Sequence, residues 1–174
     1  MKILIVYHSG PQGNTEKLAK EVAEGAKEVD AADVVLRRVE EAEAQECVGS
    51  DAIILGSSNR FGGMSAKMKA FVETWAPEIW LQGKLIGKVG AAFCTSGTLH
   101  CGKEMALMSL LTPLIHHGMY VVGVPEIHAM TAGSCYGAAA TTPRGSTGPS
   151  EPECAVAREL GRRVADLTAK VLAP

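Results

Sequence analysis

Short apolar runs alternate with amphipathic segments along this chain, and that alternation restricts its fold more than any other feature. The run Ala52–Leu55 is fully apolar and ends at a glycine, which is typical of a central parallel strand buried on both faces. The segment 14–29 instead repeats its apolar side chains with a helical period. Because strands separated by helices need crossover connections, the sequence predicts an α/β fold on a parallel sheet.

Five strands with four or five helices are expected, which fits a doubly wound sheet of order 2-1-3-4-5 with helices on both faces. The segment 133–149 is dense in Gly, Ser, Thr and Pro and predicts a long surface loop. A capping box at Ser150 to Glu153 then opens the final helix. The expected strands are Lys2–Tyr7, Asp33–Arg38, Ala52–Leu55, Ile86–Cys94 and Met119–Val124, and the earlier helices are 14–29, Met64–Trp75 and Glu104–His117.

Length and composition narrow the class of protein. A chain of 174 residues suits one domain spanning 1–174. Its net charge of −2 leaves no basic footprint for nucleic acid, and no apolar stretch reaches the roughly 18 residues of a membrane span. The five cysteines show no C-x-x-C spacing, so no zinc or iron–sulfur site is predicted. Reduced thiols of this kind favour a cytoplasmic protein, and the mild net charge favours an enzyme that acts on small molecules.

Three strand-to-helix turns are rich in Gly, Ser, Thr and Asn. They are Ser9–Thr15, Ser57–Gly63 and Thr95–Thr98. In an open parallel sheet such turns lie at the carboxyl ends of the strands, where ligands bind. Three of them at one edge predict a single pocket of nucleotide size.

The first of these turns has the features of a phosphate site. Gly10 and Gly13 let the backbone wrap around an anion, and the helix that follows presents free N–H groups and the positive end of its dipole. Ser9 and Thr15 offer hydroxyl donors, and Asn14 is expected to cap the helix. The turn itself has no basic residue, so uncharged donors would bind the phosphate. The alternative interpretation is a tight turn and cap with no ligand.

A second glycine pattern is misleading. Residues 97–103 match G-x-x-x-x-G-K, the start of the P-loop found in many ATP- and GTP-binding proteins. The next residue is Glu104, where a magnesium-binding Ser or Thr is required, and its carboxylate would repel phosphates. The sequence therefore argues against ATP or GTP binding of that type.

With all three turns in place, the sequence resembles the flavodoxin-like FMN proteins, and most of all the WrbA type (tryptophan-repressor-binding proteins), which are NAD(P)H:quinone oxidoreductases. The most specific match is Ala52–Ser65, with its arginine–phenylalanine turn. Phe93–Thr98, His116–Met119 and Cys135–Ala138 match further family segments, and Trp80 falls where the family has a tryptophan before its fourth strand. The similarity runs nearly end to end.

The resemblance implies a flavodoxin-like fold, FMN as cofactor, and NAD(P)H and a quinone as substrates in a ping-pong cycle. It implies catalytic roles for His116, beside the exposed flavin face, and for Trp80, reaching across a subunit interface of a homodimer or homotetramer. It further implies cofactor-binding roles for Ser9, Gln12, Gly13, Asn14, Thr15, Ser58, Asn59, Arg60, Phe61, Gly62, Thr95, Ser96, Gly97 and Thr98.

Three of these residues also have a purely structural interpretation. Arg60 could only cap its strand, Phe61 could pack on its own helix, and His116 could stabilise a helix end whatever the function. Pro11 and Gln12 stand where the family has a tyrosine linked to pyridine nucleotide binding, and the family's insertion after strand two is absent. The alternative function is therefore a flavodoxin-type electron carrier without its own NAD(P)H site.

Overall fold

A computed structural model of the chain describes residues 1–129, Ala132 and 134–173. The first half contains β1 (Lys2–His8), α1 (Asn14–Lys27), β2 (Asp33–Arg38), α2 (Ala44–Val48), β3 (Ala52–Ser58), α3 (Ala66–Glu73) and α4 (Glu78–Leu81). The second half contains β4 (Val89–Ser96), α5 (Lys103–His116), β5 (Tyr120–Val121), α6 (Glu126–Ala129), β6 (Ala138–Thr141) and α7 (Glu151–Leu172).

The strands form one parallel sheet in the order β2-β1-β3-β4-β5. In register, Ile3 of β1 lies between Val34 of β2 and Ala52 of β3. The predicted doubly wound order is therefore confirmed. It places the carboxyl ends of β1, β3 and β4, and with them all three polar turns, along one edge of the sheet.

The fifth position of the sheet is split between two strands. β5 pairs only with Val89 and Gly90 at the start of β4, and β6 pairs with Phe93 to Ser96 at its end. The strand predicted at Met119–Val124 is longer than the strand observed, which is Tyr120–Val121. The prediction of a loop over 133–149 was wrong for Ala138–Thr141, which form β6. Gly133 itself lies outside the described residues. A run of three alanines has low strand propensity, but these alanines are buried between the helix layers.

Helices cover both faces of the sheet. Alternate residues of β1 point to opposite faces: Ile3 and Ile5 pack in one cluster with α1 and α7, whereas Leu4 and Val6 pack in the other with α3 and α5. α1 and α7 approach so closely that a Cβ on Gly161 would lie 1.9 Å from the carbonyl oxygen of Val22. The two helices therefore form a rigid layer behind the first polar turn.

The remaining differences from the sequence prediction concern element ends. The helix expected at Met64–Trp75 is shorter, and α4 lies between it and β4. The capping box at Ser150 is confirmed, since Glu153 accepts a hydrogen bond from the Ser150 backbone N–H at 2.7 Å. None of the helices in the described parts of the chain is both long and apolar enough to cross a bilayer.

Candidate functional site

The first polar turn closes on itself and leads directly into α1. The Gly13 N–H donates to the Gly10 carbonyl at 3.0 Å, and Gly13 takes the left-handed conformation (φ 71°) as the N-cap. The expected cap by Asn14 is wrong, because Asn14 is already the first helical residue. Gly13 makes no side-chain cap, so the N–H groups of Asn14 and Thr15, the first two of α1, keep their anion-binding capacity.

Ser9 is used within this turn. Its Oγ accepts the Glu16 N–H at 3.3 Å and lies 3.4 Å from the Gly10 carbonyl, and the residue is buried. Thr15 is buried as well, and its hydroxyl shares a 2.7 Å hydrogen bond with that of Thr95. The first turn is thereby tied to the end of β4.

The second turn is a small antiparallel bridge between Arg60 and Gly63, whose backbones exchange hydrogen bonds of 2.8 and 3.1 Å. The Asn59 side chain accepts the Gly62 N–H at 2.9 Å. Phe61 sits at the tip with φ 55° and a fully exposed ring. The structure thus excludes packing of Phe61 on its own helix, and a left-handed aromatic residue of this kind is uncommon and costly.

Asn59 also joins the second turn to the third. Its backbone N–H donates to the Thr95 carbonyl at 2.8 Å, and its Nδ2 donates to the Cys101 carbonyl at 2.8 Å. The Cys101 thiol lies 3.3 Å from the same Nδ2 and also bonds the Ser96 hydroxyl. This network of buried and half-buried polar groups fixes the spacing of the two turns, which the resemblance alone did not predict.

Burial alone would raise the pKa of the Cys101 thiol, but hydrogen bonds with Ser96, Thr98 and Asn59 outweigh burial and hold its pKa below the usual value. We therefore expect alkylation of Cys101 by iodoacetamide to begin at lower pH than that of an ordinary thiol, because the thiolate is the reactive form. Cys47 and Cys94 should stay inert, since burial raises both pKa values to about 12.

The measurement is a rate-against-pH profile by peptide mass spectrometry, with Asn59→Asp as the comparison. That variant keeps the acceptor for Gly62 but loses the donor to the thiol, so its Cys101 profile should move to higher pH. A Cys101 profile identical in the two proteins would contradict the assigned network.

A fourth wall comes from the segment 142–147, which follows β6. The Thr142 N–H donates to the Ser96 carbonyl at 2.6 Å, and Lys17 of α1 donates to the Thr147 carbonyl at 2.5 Å. These two contacts hold the segment across the first and third turns. Sequence reasoning missed these residues, although the Gly, Ser and Pro content of 133–149 did predict a loop there.

Together these four segments enclose a cavity of about 260 Å³ at the carboxyl edge of the sheet. Of the predicted cofactor-binding residues it brings together Gln12, Gly13, Asn14, Thr15, Ser58, Asn59, Arg60, Thr95, Ser96 and Gly97. It does not include Ser9, Phe61, Gly62 or Thr98 among its lining residues, and it adds Gly10 and the run 142–146.

The cavity is more basic than the turns suggest. Arg60 and Arg144 both line it, and the Arg60 guanidinium lies 3.4 Å from where a Cβ on Gly10 would stand. The expectation that only uncharged groups surround the phosphate position therefore needs correction, because tertiary contact brings Arg60 to the first turn. An interior of amides, hydroxyls and two guanidinium groups suits a polar anionic ligand.

Trp80 and His116 lie elsewhere. Their rings are neighbours, with centroids 5.8 Å apart. α5 starts beside the cavity and its 14 residues carry His116 to the opposite edge of the sheet, about 20 Å away at 1.5 Å per residue. Within one chain, the structure does not bring either predicted catalytic residue to the cavity.

Residues 4–107 match the family described as "Flavodoxin domain". Proteins named "NAD(P)H dehydrogenase (quinone)" are 38% identical in Geotalea daltonii, over 99% of this chain and 98% of the relative, and 41% identical in Archaeoglobus fulgidus, over 98% of each. The solved flavodoxin, WrbA-like protein from Agrobacterium tumefaciens is 26% identical, with a TM-score of 0.78 over 97% of this chain and 98% of that one. The chain therefore belongs to the flavodoxin-domain family, as the resemblance of its turns predicted.

Proposed function

We propose that this protein is an FMN-dependent oxidoreductase that passes two electrons from NAD(P)H to quinones. The main support for this proposal is that the three predicted turns meet around one polar cavity. The chain is also similar over nearly its full length to proteins named NAD(P)H dehydrogenase (quinone). Bound FMN would supply the two-electron redox chemistry, and the proposal includes a ping-pong order in which NAD(P)H and the quinone occupy the site in turn.

The donors of the first turn fit a phosphate monoester. The N–H groups at the start of α1 point their dipole toward the turn, and a Cβ on Gly13 would meet no atom within 4 Å, so the space beside the turn is open. Gln12, Asn14 and Thr15 line the same end of the cavity. Arg60 and Arg144 add positive charge, which favours FMN over the uncharged riboflavin.

The second and third turns would hold the ring system. Asn59 and Arg60 line the cavity together with Ser96 and Gly97, and the guanidinium of Arg60 would stabilise negative charge on the ring's pyrimidine edge. Phe61, Gly62 and Thr98 lie at or near the tips of these turns and would contact the rim of the ring. Ser9 would act indirectly, by holding the first turn in shape through the Glu16 N–H.

Trp80 and His116 would serve the cavity of a second copy of the chain. Both are exposed at the amino edge of the sheet, next to further exposed apolar side chains, Leu81, Ile86, Ile115 and Tyr120. An apolar patch of this kind is typical of a protein interface. We therefore include a homodimer or homotetramer in the proposal. A single domain over 1–174 and a cytoplasmic location stay predictions.

The decisive test is steady-state oxidation of NADPH and NADH by the FMN-loaded protein with benzoquinone as acceptor. Turnover with either nucleotide, and parallel double-reciprocal lines, would support the proposed ping-pong oxidoreductase. Bound FMN without turnover from either nucleotide would favour the rival interpretation, an electron carrier that depends on a separate reductase.

Gly13→Asp should weaken FMN binding strongly without unfolding the chain. Asp tolerates the left-handed conformation and meets no atom at Cβ, but its carboxylate would stand where the phosphate binds. The matched control is Gly13→Asn, which has the same shape without the charge. We expect the Kd for FMN, measured by flavin fluorescence quenching, to be at least about tenfold higher for Asp than for Asn, since a like charge a few ångströms away costs more than 1 kcal/mol. Equal Kd values would contradict a phosphate at this turn.

A further inference from the structure

A second cavity of about 410 Å³ lies on the other side of the first turn. It shares Gly10, Gly13 and Arg60 with the first cavity, so the glycine turn separates the two. Its outer wall is built by the carboxyl end of β2, through Arg38, and by the first turn of α3, through Lys67. The site described above makes no use of these two side chains.

The charges of the second cavity fit a dianion. Three cations line it, Arg38, Arg60 and Lys67, against two carboxylates, Glu16 and Glu40. Arg38 pairs with Glu16 at 2.9 Å and Lys67 pairs with Glu40 at 2.7 Å. Because Lys20 also pairs with Glu16, at 3.0 Å, and Arg60 is shared with the first cavity, the charges left for a ligand of the second cavity are three cations against two acids, which is still a positive balance.

His8 adds an unsatisfied polar group to this wall. It ends β1 and lines the second cavity, and its Nδ1 is buried with no hydrogen-bond partner among the described residues. Burial lowers the pKa of His8, so the ring is not counted among the cations of this cavity.

The distance between the two cavities suits a dinucleotide. The two cavities adjoin at the first turn, and the first extends to the end of β4, through Thr95 to Gly97, whereas the second extends to the end of β2, through Arg38. Three strand spacings of about 4.8 Å separate β2 from β4, or roughly 14 Å. A pyridine nucleotide with its nicotinamide at the first cavity can therefore place its adenosine end at the second.

We propose, resting on the function proposed above, that the second cavity binds the 2′-phosphate of NADPH through Arg38 and Lys67 and makes the protein prefer NADPH to NADH. A phosphate monoester carries close to two negative charges at neutral pH. NADH has only hydroxyls at that position and would leave the surplus positive charge uncompensated. Arg38 offers a planar pair of donors and Lys67 a point charge.

The test uses the FMN-loaded protein and two probes, adenosine 2′,5′-bisphosphate and adenosine 5′-monophosphate, in isothermal titration calorimetry. Wild type should bind the bisphosphate at least about fivefold more tightly, a modest figure because Arg38 and Lys67 are partly exposed and solvent screens them. Arg38→Gln and Lys67→Gln should remove that preference, and 0.5 M NaCl should weaken it. Lys69→Gln is the control, since Lys69 lies on the same helix, pairs with Glu73 and does not line the second cavity.

The ratio of kcat/KM for NADPH to that for NADH gives a second readout, which should fall toward one in Lys67→Gln and Arg38→Gln but not in Lys69→Gln. Equal affinity of wild type for the two probes would overturn the subsite, even if quinone turnover is present. A clear preference for the bisphosphate without turnover from either nucleotide would support the subsite and count against the oxidoreductase, so the two failures are distinguishable. Circular dichroism melting of each variant confirms that its fold is intact.

Discussion

Gly161→Ala should be among the most destabilising single changes in this chain, even though it adds one methyl group. The new Cβ would lie 1.9 Å from the Val22 carbonyl oxygen and 2.8 Å from the Ala26 nitrogen, both backbone atoms of α1. Backbone atoms cannot rotate away, so α1 and α7 have to separate along their whole contact. Overpacking of a core usually costs 1–3 kcal/mol, and we expect about 3 kcal/mol or more here.

The measurement is urea unfolding followed by circular dichroism, with Gly49→Ala as the control. Gly49 has φ −79°, and its Cβ would lie 3.6 Å from the nearest atom, an ordinary contact. At the size of this chain, a loss of 3 kcal/mol lowers Tm by roughly 10 °C. A Gly161→Ala protein as stable as Gly49→Ala would show that α1 and α7 do not pack as closely as described.

The same close packing explains why the first polar turn could be predicted from sequence. The apolar face of 14–29 and the apolar runs of β1 and β3 follow strict periods, because each buries one stripe or both faces against a neighbour. Once β1 and α1 are fixed, the turn between them has to lie at the carboxyl edge. Its position therefore follows from local pattern, whereas the order of the sheet was expected from the doubly wound fold that five such strands fit.

The split fifth strand did not follow from local pattern. Ala138–Thr141 contains three alanines, whose small side chains carry little strand signal, and it pairs with Phe93 to Ser96 of β4, beyond the two residues of β4 that pair with β5. Gly137 permits this pairing, since a Cβ there would lie 2.1 Å from the Ala92 carbonyl oxygen. Contacts between distant segments decide this strand, and a single sequence does not display them.

The candidate site divides in the same way. Gln12 to Thr15, Asn59 and Thr95 to Gly97 could be predicted, since each belongs to a turn that directly follows a strand. The run 142–146 could not, because its place in the wall depends on Ser96 and Lys17, which are far away in sequence. The approach of Arg60 to Gly10 is likewise a tertiary contact, and it changes the electrostatics of the phosphate position.

Trp80→Ala should lower kcat/KM for quinone by about ten- to a hundredfold while leaving FMN bound, because a tryptophan at the centre of an interface contributes 1.4–3 kcal/mol or more. The structure also predicts on which copy of the chain Trp80 acts. α5 separates Trp80 and His116 from the cavity of their own chain by the length of the helix, so their effect has to be exerted on another copy. Trp80→Ala and Gly13→Asp should then complement each other.

Trp80→Ala retains an intact cavity but lacks the tryptophan, and Gly13→Asp retains the tryptophan but leaves its own cavity largely empty at an FMN concentration well below its Kd. After the two impaired proteins are unfolded together and refolded at equal amounts, a fully working site needs a Trp80→Ala cavity beside a Gly13→Asp neighbour. In a random mixture, half of the cavities belong to Trp80→Ala subunits, and half of those lie beside a Gly13→Asp neighbour. About a quarter of wild-type quinone turnover should therefore return, in a dimer or a tetramer alike. If Trp80 served its own chain, every mixed assembly would remain impaired, and the absence of any recovered turnover would remove the second copy from the site.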